Sequence, residues 1–272
     1  MKKVGLIFII SLLLSNLLGW GGLAHRIITE QAMQNLPQEM PLTAEWKSYI
    51  IEHCSDPDKR KSETPGEFEK HFIDLDFYDE FKRGEMIISK EELISKYGEE
   101  KVVAMGVLPW TIMETYEKLI VAFQEENRAN ILLYTSDLAH YVEDGSQPMH
   151  VILNYDGKLT DQDGLHSRYE TRLVKRYETE IREQLHLLKG EKTAVNLNII
   201  FDLISNTNSL APLVFEADLH ALQYTAEYDA EYYRLLWFKT EYVTMLQINE
   251  SAGTLASLIF SAWIEAGKPS IN

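Results

Sequence analysis

The sequence has very little cysteine. Its 272 residues contain a single one, Cys54, which excludes an internal disulfide and with it a small disulfide-bonded scaffold. Eight prolines and 14 glycines are too few for a collagen-like or mostly irregular chain. A hydrophobic fraction of 45% and a charged fraction of 25% are typical of a globular protein with a sizeable core. The chain must therefore be stabilised by packing or by metal ions.

Basic residues are also scarce. The chain has 26 Lys and Arg against 42 Asp and Glu, which gives a formal net charge of −16. This balance argues against broad electrostatic capture of duplex nucleic acid, because such capture relies on basic patches. Bound cations would reverse the sign of the charge at a local site. A nucleic-acid substrate is therefore disfavoured but not excluded.

Long apolar runs are absent after the first twenty residues. The start combines lysines at positions 2 and 3, an apolar run over 4–14 and a small residue, Gly19. This pattern predicts a signal peptide over residues 1–19, cleaved after Gly19, and favours it over an uncleaved anchor, because the run is shorter than the ~20 residues of a spanning helix. We expect an exported mature chain, periplasmic or secreted, that begins at Trp20 and has no transmembrane segment.

The apolar spacing of the mature chain is mostly helical. It predicts helices over 23–36, 44–54, 109–126, 129–143, 165–188, 195–204 and 217–266, and loop-rich stretches over 55–109 and 154–164. The sequence shows neither an internal repeat nor a Gly/Ser linker. We therefore predict an all-α fold, with residues 20–272 forming one compact multi-helix domain.

The candidate chemistry lies in a set of histidines and carboxylates between positions 140 and 170. His140 and Asp144 are four residues apart on a predicted helix, so their side chains share one face. His166 and Glu170 repeat this spacing, and His150 lies between the two pairs. A single His/acid pair of this kind on a helix more often forms a surface hydrogen bond than a metal site. The whole set favours a zinc site, because zinc prefers imidazole nitrogen and carboxylate oxygen converging on one point.

These residues resemble the zinc-dependent phospholipases C and the related single-strand-specific zinc nucleases, an all-helical superfamily with a three-zinc cluster. The resemblance spans positions 20–170. Beyond position 170 the sequence shares with this superfamily only its helical character. The runs that carry it are Trp20 to His25 (WGGLAH), Asp56 followed by His71 to Asp74 (HFID), His140 to His150 (HYVEDGSQPMH) and Gly164 to Glu170 (GLHSRYE).

The resemblance implies three zinc ions with ligands assigned residue by residue. The first zinc would be bound by Asp56, His71, His140 and Asp144, the second by His150, His166 and Glu170, and the third by the α-amine and carbonyl of Trp20 and by His25, with Asp144 bridging the first and third. Only three protein ligands at the second zinc leave open positions for water or substrate, as in catalytic zinc sites. The terminal amine becomes a ligand only once the signal is removed. By the same resemblance, Asp56 would hold or deprotonate the attacking water.

The implied reaction is hydrolysis of a phosphate ester by an activated water. Glu170 and the runs around His150 and His166 are closer to the phospholipase C branch, whereas the short interval from Trp20 to His25 is typical of the nucleases. Leu23 and Pro57 stand where phospholipases have an acid and a choline-contacting aromatic, and Phe68 is the aromatic of that set that matches. We predict a phospholipase C-like phosphodiesterase acting on phospholipid or another phosphodiester. The alternative is a nuclease that binds single-stranded nucleic acid.

Other chemistries are less well supported. The sequence has no His-Glu-x-x-His helix of a zinc peptidase and no Gly-x-Ser-x-Gly elbow, and Cys54 beside His53 is read as structural. A catalytically silent zinc-binding protein is a third hypothesis, although no ligand position is missing. Asp74 and Asp76 either support the metal ligands by hydrogen bonds or are solvated loop acids. We interpret His53, His186 and His220 as surface or packing residues. The aromatic residues that could either stack on nucleic-acid bases or belong to the core are Tyr78, Trp110, Tyr155 and Tyr169.

Overall fold

The structure is a computed structural model that describes residues 21–270. The predicted signal peptide, Trp20 and the last two residues lie outside the described residues. Within residues 21–270 every regular element is helical and there is no strand. The all-α prediction is confirmed.

The helices are numbered in chain order. They are α1 (Gly22–Asn35), α2 (Ala44–His53), α3 (Asp56–Arg60), α4 (Asp79–Lys82), α5 (Lys90–Tyr97), α6 (Glu99–Ala104), α7 (Leu108–Gln124), α8 (Arg128–Gly145), α9 (Leu165–Ser167), α10 (Val174–Arg176), α11 (Glu178–Glu183), α12 (Leu197–Leu222) and α13 (Ala230–Glu265). Short 3₁₀ turns cover Phe68–His71, Leu75–Phe77, Pro148–His150 and Lys158–Thr160, and a π-helical segment covers Arg168–Leu173.

Side-chain caps mark where the long helices begin. Asn127, Asn196 and Asp229 each accept a hydrogen bond from a backbone N–H in the first turn of α8, α12 and α13, which satisfies a donor that the helix leaves unpaired. Pro109 stands in the first turn of α7, where its missing N–H costs nothing. The helix predicted over 217–266 is wrong as a single element: α12 ends at Leu222, and α13 starts anew behind the Asp229 cap.

The five long helices pack around a continuous apolar core. Helix α7 packs on α8, α12 packs on α13, and α1 packs on α13. Buried apolar side chains from Ala24 in α1 to Trp263 in α13 form one cluster. Helix α8 also contacts α1, α2 and α13, so its second half lies in the interior of the bundle. The polar residues that this half carries are therefore removed from solvent.

The segment between α3 and α7, predicted to be loop-rich, contains short helices and is tied down by backbone hydrogen bonds. The N–H of Ile73 donates to the carbonyl of His150 at 2.9 Å, and that of Asp74 donates to Met105 at 2.8 Å. These bonds position the 3₁₀ turn that ends at His71. No helix within residues 21–270 has the length and apolarity to cross a bilayer.

Gly106 allows the close approach that holds this segment, and its replacement should be costly. Its φ is +86°, and a Cβ there would overlap the carbonyl oxygen of Phe72. Gly66 has a similar φ of +79°, but a Cβ added there would meet no other atom of the described chain within 4 Å. We expect Gly66→Ala to lower the free energy of unfolding by about 1–2 kcal/mol and Gly106→Ala to lower it clearly more, as measured by urea unfolding. Equal losses would contradict the steric explanation.

Candidate metal centre

Four elements bring histidine and carboxylate side chains to one point in the interior. Helix α8 supplies His140 and Asp144 one turn apart, α1 supplies His25, the 3₁₀ turn supplies His71, and α3 supplies Asp58. The first four are at most 1% exposed, and the side chain of Asp58 is 5% exposed. A buried concentration of polar groups is expensive unless they are paired or bind a cation.

The distances in this group suit a shared cation. Nε2 of His140 lies 2.9 Å from Nδ1 of His71, and Oδ2 of Asp144 lies 2.9 Å from Nδ1 of His71 and 3.3 Å from Nε2 of His140. Oδ1 of Asp58 lies 3.6 Å from Nε2 of His140 and 3.8 Å from Nδ1 of His71. Ligand atoms about 2 Å from one zinc ion are separated by about this much from each other. The four side chains therefore form a candidate metal site.

The second oxygen of Asp144 points in another direction. Oδ1 lies 3.6 Å from Nε2 of His25 and 3.3 Å from Nδ1 of His150. Neither Oδ1 nor Nε2 of His25 has a hydrogen-bond partner among the described residues. Two unpaired buried atoms that face each other and can each offer a lone pair fit a cation that both would bind, and a carboxylate with oxygens facing two sites is suited to bridge them.

A second group lies next to the first. Nε2 of His166 lies 2.8 Å from Oε2 of Glu170 and 3.1 Å from Nε2 of His150, and Nε2 of His150 lies 3.4 Å from Oε2 of Glu170. All three residues are buried. Burial raises the pKa of Glu170 to about 8, and the side-chain amide of Gln147 donates to its Oε2 at 3.3 Å.

Backbone carbonyls orient two of the imidazoles. Nδ1 of His140 donates to the carbonyl of Cys54 at 2.9 Å, and Nδ1 of His150 donates to the carbonyl of His71 at 2.8 Å. Because a carbonyl only accepts, each ring carries its proton on Nδ1 and keeps the lone pair of Nε2 for the centre. The rings are therefore preset as metal ligands.

The protonation states of His71, His166 and Asp144 also suit a cation, whereas Glu170 and His140, whose pKa values are raised, would each lose a proton on binding one. Burial lowers the pKa of His71 to about 3 and that of His166 to about 4, so both rings are neutral near pH 7. Burial alone would raise the pKa of Asp144, but the adjacent His140 and His150 hold it well below its usual value. Neutral imidazoles and ionised carboxylates are the forms that bind metals.

The π-helical segment carries Glu170 and is held by a buried arginine. Arg168 is 3% exposed, and its guanidinium lies 3.1 Å from Oδ1 of Asp218 in α12 and donates to the hydroxyl of Tyr232 in α13 at 3.0 Å. It also donates to the carbonyl of Asp163. The arginine thereby fixes the segment between His166 and Glu170 against the two longest helices.

The structure does not bring Asp56 to the cluster, which corrects both its assignment as a ligand and its role toward the water. Its Oδ2 lies 2.6 Å from Nδ1 of His53, its Oδ1 accepts from Lys59 at 2.6 Å, and its side chain is 32% exposed. Residues two apart on a helix face nearly opposite sides, so Asp56 faces solvent and Asp58 faces the centre. The Asp-Pro-Asp run made Asp58 an equal candidate by residue type, and it was missed from the sequence.

A cavity of about 250 Å³ opens beside both groups. Its wall carries a lysine, an acid and three aromatic rings in addition to histidines of the centre, and its lining residues are Lys61, Phe68, His71, Phe72, Asp74, Ala104, Met149, His150, Tyr155 and His166. Tyr155 is thus the one of the four stacking candidates that lines it. Tyr78, Trp110 and Tyr169 are buried in the core.

Lys61 connects the cavity to the centre. Its Nζ lies 2.6 Å from Oδ1 of Asp58. Burial works against ionisation of Asp58, but His140 and Lys61 hold its pKa below the usual value. Asp76 does not line the cavity and instead accepts a hydrogen bond from the backbone N–H of Leu153 at 2.7 Å. The cavity therefore places a cation beside a candidate metal ligand.

No protein-family model and no curated protein matches the chain. The geometry by itself defines the class of site: buried clusters of His, Asp and Glu that can hold metal ions. Of the ligands predicted from the sequence, it brings together His25, His71, His140, Asp144, His150, His166 and Glu170, while Trp20 lies outside the described residues.

Asp74 should make the metal-free protein less stable at higher pH. Burial, and next the charge of Asp76, raise its pKa to about 7. The folded state then binds more protons than the unfolded state between about pH 4 and 7, so the free energy of unfolding falls as the pH rises through this window. In the presence of chelator, Asp74→Asn should stabilise the protein at pH 8 by up to about 4 kcal/mol, and the gain should vanish at pH 4. The exposed Asp79→Asn is the control, and a gain independent of pH would refute this assignment.

Proposed function

We propose that the chain is a zinc-dependent hydrolase of phosphate diesters, similar to phospholipase C. The observation that carries the proposal is the pair of adjacent buried donor groups beside a cavity that contains a lysine. The two groups are linked through Asp144 and His150, whose Oδ1 and Nδ1 lie 3.3 Å apart. Most of the residues that carry the family resemblance are the ones that converge here. This convergence supports the assignment as a phosphodiesterase.

Zinc is the metal that this donor set favours. Imidazole nitrogens with carboxylate oxygens are its typical ligands, and the site holds no thiolate. Burial raises the pKa of the Cys54 thiol to about 12, and Sγ donates to the carbonyl of Ile51. We propose about three zinc ions per chain, the third bound by His25, Asp144 and the terminal amine of Trp20. This last assignment and export after cleavage behind Gly19 rest on the resemblance.

The side chains of the cavity have separate roles in the proposed reaction. Bound zinc supplies Lewis-acid chemistry and makes water nucleophilic near neutral pH. Lys61 pairs with the negative charge of the phosphate. Asp58, next to it, takes over the positioning role predicted for Asp56 and orients the attacking water. His150, His166 and Glu170 would hold a zinc ion with only three protein ligands, and because the two histidines line the cavity, substrate would bind at this group.

The aromatic wall favours a second candidate, a nuclease for single strands. Phe72 and Tyr155 line the cavity, and the ring of Tyr155 lies 6.0 Å from that of His166. Nucleic-acid bases stack on such rings. A phospholipid remains the first choice, because Glu170 and its sequence context resemble the phospholipase branch and because the net charge of −16 repels a long polyanion more than a single lipid phosphate.

Replacing two neighbouring acids separately tests the metal centre. Asp58→Asn should lose bound zinc and reduce phosphodiesterase activity by about 100-fold or more, since an amide is a poorer ligand. Asp56→Asn, the matched control two residues away, should keep both within about threefold. Elemental analysis of the folded proteins and kcat/KM on a soluble phosphodiester measure the effects. The proposal fails if wild-type protein binds at most one zinc or if the two variants behave alike.

A substrate comparison separates the two candidate functions. The value of kcat/KM should be higher for phospholipids, cleaved on the glycerol side to release a phosphorylated headgroup, than for single-stranded DNA or RNA at moderate salt. Because Leu23 and Pro57 replace the acid and one aromatic of the choline set and only Phe68 matches it, phosphatidylcholine need not be the best lipid. A nucleic-acid preference of about tenfold, or about 1.4 kcal/mol, would establish the nuclease. No turnover of either class in zinc-loaded protein would indicate a silent zinc-binding protein, and Asp58→Asn controls for contaminating enzymes.

A further inference from the structure

Glu143 is a buried carboxylate that belongs to neither candidate metal group. It precedes Asp144 in α8, is 0% exposed, and points toward α1. Its Oε2 lies 2.6 Å from Nδ1 of His25, and its Oε1 accepts a hydrogen bond from the hydroxyl of Thr29 at 2.6 Å. His25 and Thr29 are one helical turn apart, so both oxygens of Glu143 contact the same face of α1.

These contacts decide which nitrogen of His25 is available. A neutral imidazole has one N–H and one lone pair. Burial raises the pKa of Glu143, so in the metal-free protein the proton between Oε2 and Nδ1 can belong to the carboxyl, but a cation that takes the lone pair of Nε2 leaves Nδ1 as the nitrogen that carries the ring proton and donates to Glu143. A proton on Nδ1, shared with Glu143, leaves the lone pair on Nε2. That atom has no hydrogen-bond partner within the described chain and lies 3.6 Å from Oδ1 of Asp144. The ring also stacks on His140, with centroids 4.1 Å apart, which limits its tilt.

The two neighbouring acids of α8, Glu143 and Asp144, therefore have different roles. Successive helical residues point about 100° apart, so Asp144 faces the candidate ligands while Glu143 reaches behind His25. A buried carboxylate with no such task would be an uncompensated cost. The bond from Thr29 occupies its second oxygen and keeps it from turning away from the ring.

We propose that Glu143 is a positioning residue that holds the ring of His25 by Nδ1, with Nε2 directed at Oδ1 of Asp144, and thereby sets the metal affinity of the site formed by His25 and Asp144. The inference rests on the metal centre proposed above and adds to it a residue outside the ligand set. Carboxylate partners of metal-bound histidines commonly contribute 10- to 100-fold in affinity.

Three variants test the proposal. Glu143→Ala removes the acceptor and should weaken zinc binding at one site about 10- to 100-fold in a chelator competition. Glu143→Gln should restore most of the affinity, because its amide oxygen accepts from His25 and its NH₂ group donates to Thr29. Ile131→Ala, a buried change on the same helix without contact to the centre, should lower the melting temperature and leave zinc affinity unchanged. Equal weakening in Glu143→Ala and Glu143→Gln, or in Glu143→Ala and Ile131→Ala, overturns the proposal.

The hydrogen bond itself can be measured. In zinc-loaded protein with ¹⁵N-labelled histidine, the Nδ1–H signal of His25, assigned with His25→Gln, should lie downfield and exchange slowly in wild type and in Glu143→Gln. In Glu143→Ala it should move upfield and exchange faster. An unchanged signal in Glu143→Ala overturns the proposal.

A double mutant separates positioning from general destabilisation. In the His25→Ala background, Glu143→Ala should cause no additional loss of zinc affinity, because the ring it orients is gone. A full additional loss would show that Glu143 acts elsewhere and overturn the proposal. A wild-type chain that binds no zinc would instead refute the metal centre on which the proposal rests.

Discussion

The carboxylate of Asp144 is the contact on which the arrangement depends. It lies at the end of a helix whose second half is buried and has imidazoles on both of its oxygens, from α1, α8 and the two 3₁₀ turns that contain His71 and His150. Such a charge is tolerated in a core only if enough partners surround it. Backbone hydrogen bonds hold the segment between α3 and α7 against the turn after α8, and these two stretches carry His71 and His150. The packing of the helices and the arrangement of the candidate ligands therefore depend on each other.

This organisation couples stability to ligand binding. The core that packs the five long helices encloses a cluster of polar groups, which weakens it wherever those groups remain unpaired. A cation that binds the folded chain and not the unfolded one shifts the folding equilibrium in proportion to its concentration relative to its dissociation constant. The same side chains that would serve catalysis would then also contribute to the melting temperature.

Local periodicity predicts what depends on a single helix. The pairs His140–Asp144 and His166–Glu170 follow from a spacing of four, and the all-α class follows from the apolar pattern. Asp58 could not be chosen over Asp56 in this way, because only the docking of the five-residue α3 decides which side faces inward. Glu143 carries no sequence signal either, since its partners lie more than a hundred positions earlier. The break at 223–229 was missed because it contains neither Gly nor Pro, and the Asp229 cap is a weak signal.

The π-helical segment Arg168–Leu173 has a consequence for how such a chain can evolve. A π-helical turn accommodates one residue more than an α-helical turn. Loss of one residue from positions 171–173 would allow the segment to relax to an α-helix with His166 and Glu170 still four apart, but the next helical residues, from Val174 on, would rotate by about 100° relative to His166 and Glu170. A change of chain length is therefore costlier here than a substitution, and lineages that keep the centre should diverge by substitution around a constant length.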